Sequence, residues 1–182
     1  LMVVGVLSGK TEKTMNETLN QKQQALVAVA ACEAKDDQKT LERILDDAFE
    51  RGVLTVNEAK ETLSQLYAYT GFPRSLNALA SLQKVVAERR KKNRSVEVGC
   101  DASPLPDDYD ALKQGAVVQT RMSGKPFDYA FAPAVDYYLK AHLFGDIFAR
   151  DVLTYSEREI VTVAALSAID GVEPQLKAHV AG

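Results

Sequence analysis

Glu159 and His179 are the two side chains whose types and placement best suit acid/base chemistry. Glu159 opens an apolar helical stretch, and His179 belongs to the next helical stretch, which we expect to pack against the first. A carboxylate can hold an imidazole in one tautomer, so that the ring exchanges a proton through its other nitrogen. The pattern predicts His179 as a proton donor and Glu159 as its orienting partner.

The same pair also has a purely structural interpretation. Glu159 follows Ser156 at the three-residue spacing of a capping box, and its carboxylate can serve only to cap a helix. His179 lies close to the last residue of the sequence, and helices fray near chain ends. Both interpretations of the pair stay open at the level of the sequence.

Three more residues are candidates for substrate binding: Arg158, Arg74 and Tyr69. Either arginine can donate a forked pair of hydrogen bonds to a carboxylate. Tyr67 and Tyr69 lie about 200° apart around a helix, so only one of them can face the core. The other tyrosine is left for a cavity or a partner.

The sequence Gly71-Phe72-Pro73 marks an abrupt corner between two predicted helices. Gly71 is expected to take a left-handed conformation that ends the first helix, and Phe72 to fold back on it. Pro73 suits the first turn of the next helix, where its missing N–H costs nothing. We therefore expect a fixed bend beside Tyr69 and Arg74.

The remaining histidine and the two cysteines have structural interpretations. His142 is expected as a hydrogen-bonded core or interface residue, on the apolar face of a helix near 131–144. Cys32 is expected as a small buried hydrophobe and Cys100 as a loop residue. Neither cysteine has the spacing of a zinc site or of a disulfide scaffold, so no metal is expected. The predicted apolar face also holds Phe131, Val135, Tyr138 and Leu139.

The composition is that of an ordinary globular protein that binds no nucleic acid. The 182 residues are 46% hydrophobic and carry a net charge of −3. No basic stripe with interleaved aromatic residues recurs along a helix, which argues against a nucleic-acid interface. The basic run at 89–94 is predicted to be a solvated helix end, where cations meet the negative pole of the helix dipole.

The first residues are apolar, but they are too few to span a bilayer. They also lack the charged leader of a signal peptide. We expect residues 1–14 to be an extension, a tag remnant or the end of an export signal. The cytoplasm is the first expectation for localisation, with export to the periplasm as the alternative, and no membrane association is expected.

Helical periodicity runs through nearly the whole sequence, so the fold class is predicted to be all-α. Leu41, Ile44, Leu45 and Ala48 follow the spacing of one apolar helix face. The sequence Thr-Val-Asn-Glu at 55–58 is a capping box that begins the next helix. No stretch shows the sustained alternation of a strand.

The chain divides into two predicted helical units. The first covers 15–92, the second covers 109–182, and the segment 93–108 between them is rich in proline and capping residues, as a linker is. Residues 27–45 resemble residues 161–180, so a short helical hairpin is used twice. Since one such hairpin cannot bury its apolar face alone, the two copies are expected to pack on each other or across a subunit interface.

These patterns resemble the carboxymuconolactone decarboxylase family. Residues 20–90 are similar to its helical unit, which has an apolar first helix, a second helix ending in glycine and a third ending in Tyr-x-Gly-Phe-Pro. Residues 144–182 are similar to the start of a second such unit. The most specific matches are Tyr69, Gly71, Phe72, Pro73, Arg158, Glu159 and His179.

The resemblance implies a duplicated helical-hairpin bundle of the alkylhydroperoxidase-like type that assembles into a homo-oligomer. Some relatives of this type are thiol peroxidases with a Cys-x-x-Cys-x-x-x-His motif. Here Val172 and Gln175 stand at the two thiol positions before His179. A peroxidase of that kind needs both thiols, so the redox function is disfavoured.

The resemblance favours a cofactor-free acid/base lyase that decarboxylates or isomerises a small carboxylated or lactone substrate. The alternative is a non-catalytic helical assembly, or a protein that binds a small ligand, with the same fold. The second unit lacks a counterpart of the Gly-Phe-Pro corner. It is therefore predicted to be incomplete at its C-terminal end.

Overall fold

A computed structural model describes residues 19–180, and in this range every regular element is helical. The all-α prediction is therefore confirmed. The predicted N-terminal extension, 1–14, lies outside the described residues. In chain order the helices are α1 (Gln21–Ala34), α2 (Gln38–Glu50), α3 (Val56–Thr70), α4 (Phe72–Lys91), α5 (Ala111–Ser123), α6 (Pro133–Tyr137), the π-helix π1 (Tyr138–Ile147), α7 (Tyr155–Ser167) and α8 (Glu173–Val180).

Local capping signals fix several helix ends. Helix α3 begins with the predicted capping box, in which Thr55 accepts from the backbone of Glu58 and the Glu58 carboxylate accepts from the Thr55 N–H. Helix α2 ends just before Gly52, whose φ of 62° is easily reached only without a Cβ. None of the described helices is long and apolar enough to cross a membrane.

The corner between α3 and α4 is the predicted tight bend. Gly71 has φ 84° and ψ 158°, a region that is open essentially to glycine alone. Its φ is positive as predicted, but its ψ is extended and not the left-handed helical value. Phe72 folds back and stacks on Tyr67, with ring centroids 4.2 Å apart, and Pro73 lies in the first turn of α4. Tyr67, which stacks on Phe72, and Tyr69, which packs against the hydrophobic clusters, therefore have different surroundings.

The main core is formed by α1, α2, α3, α4 and α7, so helices from both sides of 93–108 share it. Helices α1 and α7, which hold the first parts of the similar segments 27–45 and 161–180, pack directly against each other. The boundaries of the two units stay a prediction. The fully buried side chains of this core include Leu26, Val29, Leu41, Leu45, Leu63, Leu66 and Val161.

A second, smaller cluster lies between α5 and π1. Gly115 of α5 and Gly145 of π1 let the two backbones touch, because a Cβ at either position would collide with a carbonyl of the other element. Leu143, Phe144 and Phe148 fill this cluster.

The single helix predicted near 131–144 is instead the short α6 followed by π1. On its predicted apolar face, Phe131, Val135 and Tyr138 are 90%, 52% and 62% exposed, whereas Leu139 packs against the second cluster. From Tyr138 onward the reason is the helix type, because a π-helix has more residues per turn than an α-helix and an α-helical spacing does not stay on one side of it.

The basic run at 89–94 is only partly solvated, in contrast to the prediction. The guanidinium of Arg89 is 2% exposed and forms ion pairs of 2.7 Å with Asp46 and Glu50 of α2. Arg94 binds the same two carboxylates. These contacts hold the start of the 93–108 segment against α2. The run of like charges at the end of α4 gives no sign of these partners on another helix.

Candidate functional site

His179 and Glu159 are in direct contact. Nδ1 of His179 lies 2.8 Å from Oε2 of Glu159, and each side chain is only 17% exposed. Glu159 is on α7 and His179 is on α8, which packs against α7. Because a carboxylate can only accept, Nδ1 carries the hydrogen and Nε2 is left free to exchange a proton.

Glu159 plays no part in capping α7. The cap is made by Thr154 and Glu157, whose side chains bond reciprocally to each other's backbone N–H groups. The capping interpretation of Glu159 was therefore wrong. Its second oxygen, Oε1, is buried and has no hydrogen-bond partner within the described part of the chain.

The pair forms part of the wall of a cavity of about 840 Å³. Apart from this pair, Ser156 and Ser167 are the polar side chains that the described part of the chain brings to it. No lysine or arginine of residues 19–180 lines the cavity, so Glu159 has no cation other than a protonated His179 to face. The apolar wall consists of Leu19, Val27, Ala31, Met122, Ile160, Val163, Ala164, Ala168 and Val180.

Tyr69 supports the imidazole from the side away from the cavity. Its ring meets the His179 ring edge-on, with centroids 5.8 Å apart, and packs against both hydrophobic clusters. Burial raises the pKa of its hydroxyl above the ordinary value, with Glu159 adding to the shift and Thr162 opposing it. Tyr69 is not among the residues that line the cavity. The structure therefore places it as a packing neighbour of His179 and not as a ligand contact.

Arg158 is buried in the protein and faces away from the cavity. Its guanidinium is fully buried, donates to Gln65 at 2.9 Å and pairs with Glu61 at 3.1 Å. Burial lowers the pKa of this guanidinium, against the opposing effect of Glu61. Arg158 is not among the residues that line the cavity. The predicted carboxylate anchor is therefore held elsewhere.

Arg74 also lies away from the cavity. It is half-buried on α4, and its charge acts on Glu33 of α1. Glu33 is fully buried, accepts from the Thr70 hydroxyl at 2.6 Å and leaves its other oxygen without a partner in the described structure. Burial raises the pKa of Glu33 to about 7, although Thr70 and Arg74 oppose the shift.

The importance of Glu33 was missed at the level of the sequence, although a signal was present. Leu26, Val29, Ala30 and Glu33 follow the spacing of one helix face, so the carboxylate falls on the buried side of α1.

His142 is hydrogen-bonded as predicted and lies outside the cores, so of the two predicted positions the interface is the one that stays a prediction. It is 48% exposed, its Nδ1 lies 2.8 Å from the Asp146 carboxylate, and its Nε2 contacts the hydroxyl of Tyr67. The i,i+4 spacing of His142 and Asp146 was a signal for their contact. Tyr67 also lines a cavity of about 310 Å³ with Phe72 and Arg150.

The cysteines lie apart from each other. Cys32 is partly buried, and burial is the main reason that the pKa of its thiol is raised, which makes it a poor nucleophile. Cys100 is exposed in the 93–108 segment. No group of three metal-ligating side chains is found in residues 19–180.

No protein-family model matches this chain, and no curated protein matches it. A function is therefore inferred from the geometry of the site.

Proposed function

We propose that the chain is a cofactor-free acid/base enzyme of the carboxymuconolactone decarboxylase type, acting on a small lactone. The observation that carries this proposal is the His179–Glu159 contact of 2.8 Å at the wall of an apolar cavity. An oriented imidazole with a free Nε2 at the wall of a mostly apolar cavity is suited to proton transfer at carbon.

The proposed reaction moves one proton between two carbons of the lactone. Nε2 of His179 accepts the proton from the carbon next to the carbonyl; the C–H bond breaks, and its electron pair moves into an enolate. The resulting imidazolium forms an ion pair with Glu159. The imidazolium exchanges its proton with solvent and then returns a proton to a different carbon of the conjugated system, which gives an isomer and restores the neutral ring.

The cavity favours isomerisation of an uncharged lactone over decarboxylation. A substrate carboxylate would enter a space with mostly apolar walls and would face Glu159. Arg158 and Arg74 do not line this cavity, so an anion would be desolvated without a fixed cation. A carboxylated substrate is therefore the less favoured member of the predicted substrate class.

A second candidate function is binding of a small apolar ligand without chemistry. The same cavity supports it, because apolar walls with a few convergent polar groups are typical of ligand pockets. In this candidate the His179–Glu159 pair only fixes the orientation of the ligand.

The proposal also covers the fold type, the oligomeric state and the localisation of the chain. Packing of α1 on α7 supports a duplicated helical-hairpin bundle of the alkylhydroperoxidase-like type. The exposed aromatic rings of Phe131, Tyr137 and Tyr138 support assembly into a homo-oligomer. For localisation we propose the cytoplasm, with export as the alternative.

The test is deuterium exchange into a panel of uncharged lactones in D₂O, followed by proton NMR. We expect the wild-type protein to exchange the acidic carbon position of at least one lactone, and His179→Ala to slow this by at least about 100-fold. Lys177→Ala is the matched control, since Lys177 is exposed on the same helix. Equal rates in wild type and His179→Ala would contradict the enzyme. Ligand-induced chemical-shift changes without exchange would favour the binding protein.

A further inference from the structure

A second chain of hydrogen-bonding side chains lies outside the His179 site. Asp146 and His142 are on π1, and Tyr67 is on α3. The Asp146 carboxylate can only accept, so Nδ1 of His142 carries a hydrogen and donates it over 2.8 Å. Nε2 then presents its lone pair to the Tyr67 hydroxyl, which it contacts. The phenol therefore has a base in place for its proton.

The surrounding structure fixes this arrangement. Tyr67 is stacked on Phe72 with an interplanar angle of 9°, at the rigid Gly71 corner. The backbone of π1 is held against α5 by the close approach at Gly145. Short π-helical segments occur frequently at functional sites.

Space for a small molecule lies next to the phenol. Tyr67 lines a cavity of about 310 Å³ whose wall is apolar at Leu76 and Ile147. The wall also contains Ser64 and the half-exposed guanidinium of Arg150, which is paired at 2.7 Å with Glu61, itself a wall residue. The cavity therefore offers apolar surface for a short acyl group and polar donors for its carbonyl oxygen.

We infer that Tyr67, activated by His142 and positioned through Asp146, is a nucleophilic site that accepts acyl groups from small activated esters. In the proposed step the phenolic oxygen of Tyr67 forms a bond with the acyl carbon, and the bond from that carbon to the leaving alkoxide or phenoxide breaks. The phenolic proton passes to Nε2 of His142, which then returns it to the leaving group. Water can later release the acyl group as a carboxylic acid.

The test uses p-nitrophenyl acetate and peptide mass spectrometry on the intact folded chain. Tyr137 and Tyr138 are internal controls, because they are 52% and 62% exposed and have no imidazole partner in the described structure. We expect Tyr67 to gain the acetyl group at least about 100-fold faster than either control, the lower end of the range for general-base assistance. Equal rates at Tyr67 and Tyr138, or acetyl only on His142, would overturn the inference.

Substitutions separate activation from structure. His142→Ala is expected to bring the Tyr67 rate down to that of Tyr138, and free imidazole in the buffer is expected to restore it. A structural role of His142 would not give this rescue. Asp146→Asn is expected to slow acetylation about tenfold, and Asp146→Glu to recover part of the rate, whereas no change in Asp146→Asn would contradict the positioning role. Circular dichroism checks that each variant is folded.

Discussion

The two histidines of this chain form the same contact in two different environments. In each case Nδ1 lies 2.8 Å from a carboxylate oxygen. Glu159 and His179 are on two helices and are each 17% exposed, whereas His142 and Asp146 are on one helix and are 48% and 56% exposed. The surroundings of Nε2, and not the pair itself, therefore distinguish the proposed chemistries.

The difference shows how burial divides the tasks of an imidazole. At His179 the surroundings of Nε2 are mostly apolar, so the proposed task of the imidazole is proton transfer with a bound carbon acid. At His142 Nε2 contacts the phenol of Tyr67, so the proposed task is to activate that phenol.

Arg158 is expected to stabilise the fold and not to serve the cavity of His179. We expect Arg158→Ala to lower the free energy of unfolding by about 3–5 kcal/mol, because it leaves a cavity in place of a fully buried side chain, removes the donor to Gln65 and leaves Glu61 with Arg150 as its one remaining cation in the described structure. Urea unfolding followed by circular dichroism measures this loss. Arg74→Ala is the control, with an expected loss below about 1 kcal/mol, as it forms no ion pair in the described structure. An unchanged stability of Arg158→Ala with weakened lactone binding would support an anchoring role instead.

Glu33 is a buried carboxylate that, unlike Glu159 and Asp146, has no imidazole partner in the described structure. Its pKa is raised to about 7 in the folded chain from 4.5, so the native state binds more protons than the unfolded state between these values. The Glu33 contribution to stability is therefore lost as pH rises through this window, by about 3 kcal/mol in all.

The measurement for Glu33 is the free energy of unfolding of wild type and Glu33→Gln from pH 4 to pH 8. We expect the difference between the two proteins to shift by about 3 kcal/mol in favour of the variant as pH rises. Above about pH 7 the difference is expected to be constant. A difference that does not depend on pH would show that Glu33 is charged throughout.

Exchanging the two carboxylates for amides tests whether the pairs act independently. Glu159→Gln is expected to slow lactone exchange about tenfold and to leave Tyr67 acetylation unchanged, since one charged hydrogen bond is worth about 1.5 kcal/mol. Asp146→Asn is expected to have the reverse pattern. NMR exchange and mass spectrometry on the same samples give both rates. A cross effect above about threefold would show that the sites are coupled.

The smallest effect is expected at Tyr69. Its buried hydroxyl has no well-formed hydrogen bond in the described structure, so Tyr69→Phe removes a polar group whose burial is not compensated. We expect the free energy of unfolding to stay the same or to rise by up to about 1 kcal/mol, and the lactone exchange rate to stay within about twofold of wild type. A loss of exchange above about tenfold would make the hydroxyl part of the site.

Local sequence signals predicted much of the fold. The capping box at Thr55, the end of α2 at Gly52 and the bend at Gly71 each depend on residues within a few positions of one another. The meeting of Glu159 and His179 followed from two neighbouring apolar helices. Such features need little information about the rest of the chain, so one sequence is sufficient for them.

Features that depend on distant contacts could not be predicted in this way. The burial of Arg89 depends on carboxylates of α2, more than 35 residues earlier in the chain. The π-helix around His142 depends on the close approach of α5, and it changes which residues face outward. The direction of Arg158 depends on Glu61, a partner on another helix.

The segment between the two predicted units also completes a helix. The first backbone N–H groups of α3, at Val56 and Asn57, donate to the carbonyls of Glu97 and Val98. Gly99 then passes so close to Thr55 that a side chain would collide with it. The 93–108 segment is therefore held in place up to Gly99, whereas residues 104–108 are exposed. We expect insertions at 104–108 to be tolerated. An insertion before Gly99 is expected to break the hydrogen bonds at the start of α3.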